Sequence, residues 1–368
     1  MKVLIIGANG FIGKNLSLWL ERDNLELLKI DVDNLDRLEE YVLAADFIIE
    51  LAGVNRPKTN KEFKPGNLKP VRQLISILKK NKKRTPILYS SSVQADWDND
   101  YGNAKKVVED LLFKLASTNK NPVYVYRFNN VFGKWCKPNY NSVIATFCYN
   151  QTHGIENIMD NPAKRIRFVY IDDLCKHVLS TIRQDKWLGS EGILTVPIYY
   201  DVSLGHIDWL TRLYKESIKS KMLPIQRDDF EKKLYATFLS YVEEDKFIFD
   251  LETHKNDLGS FTEVTRSENA GQMSVNIIKP GVSKGGHYHN TKSERYYVAK
   301  GECLVKFRKL DSDKIIEFKL SEDKPQTLII PIGYTHSITN IGKEEAVVLM
   351  WASENYDENN PDTIPEEL

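Results

Sequence analysis

Six residues into the chain, the apolar run KVLII meets a G-x-x-G-x-x-G series made by Gly7, Gly10 and Gly13, and the amphipathic stretch NLSLWLERD follows. Few architectures accept that order. A buried strand must turn sharply into a helix, with backbone amides left free to approach an anion such as a pyrophosphate. The alternative is a tight turn in an α/β domain that holds no nucleotide. The runs LELLKI, ADFIIELAG, TPILYSSS and PVYVYRF then recur between amphipathic stretches, one of them a helix expected from about Asn103 to Ala116. Strands alternating with helices predict a doubly wound parallel sheet of Rossmann type, an α/β fold covered on both faces.

From about Phe249 the texture changes. QMSVNIIK, ERYYVAKG, CLVKFRKL, KIIEFKL, QTLIIP and AVVLMWAS are short strand-like runs separated by Gly, Asp, Asn and Pro turns. That spacing predicts an all-β sandwich or barrel. The domains expected are therefore 1–245 and 246–368, with the helical stretch FEKKLYATFLS just before the boundary. The acidic, proline-bearing tail after Glu358 is expected to be docked or frayed rather than functional.

Each half carries a chemical constellation. In the first, Asp31 ends the second strand, where an acid can hydrogen-bond a ribose 2′-hydroxyl and so favour NAD, or be a solvated turn acid with Asp33 close by. Tyr101 and Lys105 are four residues apart at a helix start and share a face. The lysine charge is expected to lower the phenol's pKa into a usable range. Ser90, Ser91 and Ser92 end a strand, where a hydroxyl can orient a carbonyl. The segment 134–140, following the strand that carries Arg127, offers Lys134, Lys137 and Tyr140 to a diphosphate or sugar, and Arg165 and Arg167 are similar candidates.

In the second half, Gly281, His287, His289, Glu294 and Gly301 are followed by Pro331, Gly333, His336 and Asn340. Three of the chain's seven histidines stand in this pattern with one spaced glutamate. His287 and His289 fall on one side of a strand at period 2, and Glu294 and His336 complete a four-ligand set. Imidazoles with a carboxylate suit zinc or another divalent first-row metal.

Composition removes other classes. Lysine plus arginine equals aspartate plus glutamate, 51 against 51, so there is no general basic field and no nucleic-acid partner is implied. No run approaches the roughly 18 apolar residues of a membrane span. Cys136, Cys148, Cys175 and Cys303 form no C-x-x-C pair and read as free thiols in a reducing compartment. The expected protein is cytoplasmic, without a membrane partner.

GANGFIG, LAGVNRP, YSSS, YGNAK, YRFNNVFG and FVYIDDL resemble the extended short-chain dehydrogenase/reductase family over roughly the first 240 residues. The resemblance implies Tyr101 as acid, Lys105 as its activator and Ser92 as carbonyl anchor, with Ser91 the fallback if the register slips. It implies cofactor contacts at Gly7, Asn9, Gly10, Phe11, Ile12, Gly13, Asp31, Leu51, Ala52, Gly53 and Lys105, and places Asn129 with the substrate residues. YGNAK lacks the serine of the common Y-x-x-S-K, which the chemistry does not require.

The histidine pattern is similar to the two cupin motifs, with Pro325 where the second motif opens on glycine, and implies a jelly-roll β-barrel. DLGSFTE at 257–263 and WASENYDENNPDT at 351–363 resemble sugar-nucleotide epimerases of the dTDP-4-keto-6-deoxyhexose type, which work without metal. A reductase followed by a cupin, with VFGKWCKPNYNSVIATF at 131–147, resembles a bifunctional family of capsular polysaccharide synthesis over the full chain. That resemblance implies a UDP-linked 4-keto-6-deoxy amino sugar as partner, C3 epimerisation in the cupin and C4 reduction with NADPH, NADH being possible. The family's NADPH conflicts with the simple reading of Asp31, and the family is followed here. Cupin pairing through strands implies a homodimer. The alternative is a 4-keto reductase alone, with the cupin as a dimerisation or scaffolding module.

Overall fold

The computed structural model describes residues 1–56, 59, 62–189, 192–218, 220–247, 249–310, 312–330, 332–359 and 361–368, and the side chains of all of these except Val32 and Asp33. Pro57, Pro331 and the Asp33 side chain, which figure in the sequence motifs, lie outside the described residues. The chain divides into two compact units, residues 1–212 with 228–242 and residues 213–227 with 243–368.

The first unit is built on β1 (Lys2–Ile6), β2 (Glu26–Ile30), β3 (Phe47–Glu50), β4 (Ile87–Ser92) and β5 (Val123–Phe128), while β6 (Asn130–Phe132) and β7 (Arg165–Tyr170) leave the main sheet, which ends on β8 (Ile193–Leu194). The strands run in the order β2-β1-β3-β4-β5-β8, every neighbouring pair parallel. Alternation along β1 explains the two layers. Val3 and Ile5 pack with Leu16 and Leu20 of α1 (Phe11–Arg22) and with Leu174 and Val178 of α6 (Ile171–Ile182). Leu4 and Ile6 pack on the other face with α2 (Leu38–Ala44), α3 (Phe63–Lys80) and α4 (Asp100–Asn119). A strand buried on both faces needs apolar residues at every buried position, which is what VLII, after the exposed Lys2, supplies. Each fully buried aliphatic side chain is worth about 1.5–3 kcal/mol.

The strand order reverses between β1 and β3. The helices that follow those two strands, α1 and α3, therefore lie on opposite faces, which opens a crevice at the strands' carboxyl ends, the place where open α/β sheets bind ligands. α4 is longer than its sequence pattern predicts, because the Asn99 side chain accepts a hydrogen bond from the Gly102 amide at 2.7 Å and starts the helix early. α5 (Val143–Thr152) connects β6 to β7, which pair parallel in a small sheet where β7 also pairs β9 (Tyr200–Ser203) antiparallel; α7 (Leu204–Ser217) and α8 (Asp229–Leu239) follow.

The second unit contains two antiparallel sheets. One has the order β10 (Thr253–Asn256), β11 (Gly259–Ser267), β12 (Gly271–Ile278), β19 (Ala346–Ala352), β14 (Glu294–Lys300), β17 (Leu328–Ile330). The other has β16 (Ile315–Ser321), β15 (Glu302–Lys309), β18 (Tyr334–Asn340), β13 (Ser283–Tyr288), β20 (Ile364–Pro365). Ile278, Val298 and Val348 of the first share one core with Val305, Phe307 and Ile338 of the second, so the sheets pack face to face.

Residues 213–227, which the sequence places in the first domain, cluster with this unit instead. The Leu223 amide donates to Arg266 O at 2.7 Å, the Arg266 amide to Lys221 O at 2.8 Å, and Lys221 Nζ to Glu263 at 2.8 Å. Backbone pairing with a strand some forty residues away has no signature in local periodicity. All four cysteines are free and buried. Among the described residues, no helix is long and apolar enough to cross a membrane.

Candidate active sites

At the β1–α1 junction Gly7 adopts φ +88°, and a Cβ there would stand 2.9 Å from the Ala52 amide nitrogen. Only glycine fits, because the loops after β1 and β3 touch at that point. The predicted residues Leu51, Ala52 and Gly53 are thus brought against the glycine loop. Gly10 caps α1 without a side-chain hydrogen bond, and no acid lies in the first helical turn. Such a helix end favours an anion. Phe11 and Ile12 pack down onto the core beneath. Asp31 Oδ2 accepts from the Asn9 amide at 2.9 Å, so this carboxylate holds the loop. A cavity of about 480 Å³ opens beside it, lined by Ala8, Asn9, Lys14, Lys29 and Trp135 among others.

Tyr101 lies in the first turn of α4 on the wall of a second cavity, of about 520 Å³. Asn55, Gln94, Asn99, Asn103 and Asn141 line it too. Burial pushes the phenol up to about 12, with a hydrogen bond to Ser92 pulling the other way. Lys105, whose Nζ is 5.9 Å from the Tyr101 ring centroid, does not bring it below its ordinary value, contrary to the sequence expectation. The tyrosine's own burial is the reason, and the ammonium donates instead to Ser90 O at 2.8 Å.

The serines separate by strand alternation. Ser92 faces Tyr101. The Ser91 hydroxyl is buried and donates at 2.5 Å to Glu109, which also takes two hydrogen bonds from Arg127. Ser91 therefore belongs to a structural cluster rather than to the cavity.

The sequence reading passed over Glu50. It is fully buried at the end of β3, in register with Tyr89 of β4. Its Oε1 accepts from the Ala52 amide at 2.8 Å, and its Oε2 has no hydrogen-bond partner. Burial raises its carboxyl to about 8, against the pull of the Ala52 amide and the Lys105 charge. Burial lowers Lys105 to about 8, opposed by Glu50 and Glu109. Below pH 4.5 Glu50 is protonated folded and unfolded alike. As pH rises towards 8 the folded chain retains a proton that the unfolded chain releases, so stability falls across that window. Glu50→Gln should flatten this decline, measured as urea unfolding free energy at pH 5.5 and pH 8. An equal decline in the variant would assign the slope elsewhere.

The remaining first-unit candidates do not converge on this cavity. Lys134 is held by both Asp172 oxygens, at 2.8 and 2.9 Å. Lys137 lies 5.6 Å from the Tyr140 ring, and Tyr140 is exposed. Arg165 is exposed and bound to Asp201; Arg167 is exposed over Tyr199. Asn129 sits between β5 and β6. From the same loop as Lys137, Asn141 reaches the cavity.

In the second unit His287, His289, Glu294 and His336 offer one ligand atom each, all within 4.8 Å of one another. His287 and His336 are register partners on β13 and β18. A bulge at Gly285–Gly286 sets that register; both have positive φ, and a Cβ on Gly285 would come 2.6 Å from His336 O. Glu294 Oε2 lies 3.5 Å from His289 Nε2 and 3.6 Å from His336 Nε2. Donors about 2.1 Å from a tetrahedral zinc stand about 3.4 Å apart, so the set fits. His289 Nε2 is buried without a hydrogen-bond partner, the lone pair such an ion would take.

Electrostatics agree with the geometry. His287 is lowered to about 4 by burial and by the neighbouring His336 and His289, so its imidazole is neutral at pH 7. Burial alone would raise Glu294, but the neighbouring His289 and His336 and the Tyr296 hydroxyl hold it below the usual carboxylate range. Tyr296 donates to Glu294 Oε2 at 2.8 Å, and Lys292 Nζ to Thr363 at 2.9 Å. Lys284, also overlooked in the sequence, pairs with Ile338 and so shares the inward face with His287 and His336. It donates to Asn276 at 2.6 Å, and burial lowers its pKa.

Residues 3–193 match the NAD dependent epimerase/dehydratase family, and residues 254–364 the polysaccharide biosynthesis C-terminal domain. A UDP-2-acetamido-2,6-beta-L-arabino-hexul-4-ose reductase of Pseudomonas aeruginosa is 38% identical over 365 residues, covering 99% of this chain and 98% of that protein. The crystal structure of the capsular polysaccharide assembling protein CapF from Staphylococcus aureus superposes with a TM-score of 0.91 at 42% identity, over 100% of both chains. UDP-glucose 4-epimerase from Thermotoga maritima shares the fold at 18% identity and TM-score 0.55, over 66% of this chain and 98% of its own.

Proposed function

Because this chain belongs to the NAD dependent epimerase/dehydratase family, in its two-domain, CapF-like form, we propose that it carries out two consecutive reactions on a UDP-linked 4-keto sugar. The substrate is UDP-2-acetamido-2,6-dideoxy-4-hexulose. The second unit inverts C3, and the first reduces C4 with NADPH, giving UDP-2-acetamido-2,6-dideoxy-L-talose on the way to N-acetyl-L-fucosamine for capsular polysaccharide. One observation carries the reading: Tyr101 on a cavity wall, with Ser92 and the buried Lys105 beside it, in one unit, and a three-imidazole, one-carboxylate cluster in the other.

The chemistry follows from the ketone. A C4 carbonyl makes the C3 proton acidic, so removing it and returning it on the opposite face inverts that centre. A divalent metal held by His287, His289, Glu294 and His336 would supply Lewis acidity to the developing enolate oxygen. A neutral His287 and an ionised Glu294 keep their donor atoms available at pH 7.

A nicotinamide held by the glycine loop would supply the hydride for reduction, and the C4 oxygen must gain a proton. Tyr101 is protonated at neutral pH, since burial raises it, and is placed to donate. Ser92 orients the carbonyl beside it. Lys105, buried next to Gly53, sets the charge behind the phenol: a Cβ on Gly53 would stand 3.4 Å from its Nζ. Lys14 beside the glycine loop favours the extra phosphate of NADPH, whereas Lys29 is paired with Glu21 at 2.6 Å.

Turnover of the keto sugar in heavy water tests both halves at once. NADPH oxidation, faster than with NADH, together with deuterium at C3 is the expected result. Oxidation without deuterium would leave the second unit without a catalytic role. Deuterium without oxidation would remove the C4 reduction.

A further inference from the structure

His289 is the metal-site residue with the most unusual surroundings. It lies just past the end of β13, is 2% exposed, and its Nδ1 is 2.5 Å from the main-chain oxygen of Asp362. A carbonyl oxygen only accepts, so Nδ1 carries the proton there and Nε2 keeps its lone pair. That second nitrogen points at Glu294 and has no hydrogen-bond partner.

The carbonyl is itself held in place by its own side chain. The Asp362 carboxylate accepts from the Asn290, Thr291 and Lys292 amides at 2.8–3.1 Å and from the Thr291 hydroxyl at 3.2 Å. Thr363 accepts from Lys292 Nζ at 2.9 Å. Downstream, Ile364 and Pro365 pair with Tyr288 and His287, and Glu366 O accepts from Thr335 at 2.7 Å. The segment 362–366 is thus stitched to both strands that bring imidazoles to the site. Sequence reading gave it no role beyond docking.

We propose that Asp362 is a positioning residue for the metal centre: its carboxylate, seated on three consecutive amides, aims its own carbonyl at His289 Nδ1 and holds that imidazole in the tautomer whose Nε2 can bind a divalent cation. This rests on the metal reading above. It adds that a residue some seventy positions away decides whether His289 is an effective ligand. Outer contacts of this kind are worth about 10–100-fold in metal affinity.

The test uses the full-length protein stripped of metal, with zinc affinity measured by competition against a chromophoric chelator. Imidazole tautomers are read by long-range ¹H–¹⁵N correlation, and folding by circular dichroism. Asp362→Ala should bind zinc about 10–100-fold more weakly while folded, with His289 no longer held in the Nδ1–H form. Asp362→Asn retains one acceptor oxygen and should fall between the two; it decides the matter if the alanine variant does not fold. Wild-type affinity in a folded Asp362→Ala or in Asp362→Asn, or an unchanged tautomer, would overturn the proposal. Absence of zinc binding in the wild type would instead sink the metal reading itself, and the positioning role of Asp362 with it.

Discussion

Tyr101→Phe should reduce coenzyme oxidation by about 10²–10⁴-fold, the usual contribution of a positioned proton donor. The substitution removes one oxygen and leaves the ring that packs 5.8 Å from Phe63, so the wall of the cavity is preserved. The variant should bind NADPH normally and lose kcat rather than gain KM, because the proton is needed only as charge develops on the C4 oxygen. It should also still exchange the C3 proton, since that chemistry is assigned to the other unit. Undiminished reduction by Tyr101→Phe would move the proton donor elsewhere. The raised pKa of the phenol adds a sign. Its donor form is present throughout the neutral range, so the wild-type reduction rate should not fall between pH 7 and pH 9 through loss of the Tyr101 proton.

His336→Ala should all but abolish deuterium incorporation at C3. Lewis-acid stabilisation contributes several kcal/mol, which at 1.36 kcal/mol per decade is on the order of 10³-fold. His336 is 1% exposed and pairs in register with His287, so its loss removes one donor and unsettles a second. Metal content by mass spectrometry should fall in parallel. Prolonged chelation of the wild type should have the same effect, reversible by zinc. If exchange continued at the normal rate in metal-free protein, the second unit would be a scaffold, and the 4-keto reductase alone would remain.

Both predictions rest on residues that the sequence exposed at once. Tyr101, Lys105 and the glycine loop are legible because their chemistry is local: four residues along a helix share a face, and three glycines after an apolar run admit few backbones. The histidine pattern is legible for a related reason, since glycines and turn residues space its strands. Ser91 and Ser92 were not separable by inspection. Which one faces the phenol depends on the register of β4 against β5 and on Glu109, itself held by Arg127, claiming the other hydroxyl. Lys134 illustrates the opposite failure. A loop lysine reads as a phosphate ligand until Asp172, 38 residues on, takes both sides of its ammonium.

The sequence alone laid out two candidate sites, their order along the chain, and the architecture that carries each, because periodicity, glycine spacing and ligand type are properties of neighbours. Tertiary structure decided what surrounds those groups. It placed Glu50 behind Lys105, drew the segment 213–227 to the second unit, turned Lys284 inward through a glycine bulge and seated Asp362 against His289. Each depends on a contact between distant residues, whose cost of burial or gain of a hydrogen bond exists only once the chain has closed on itself.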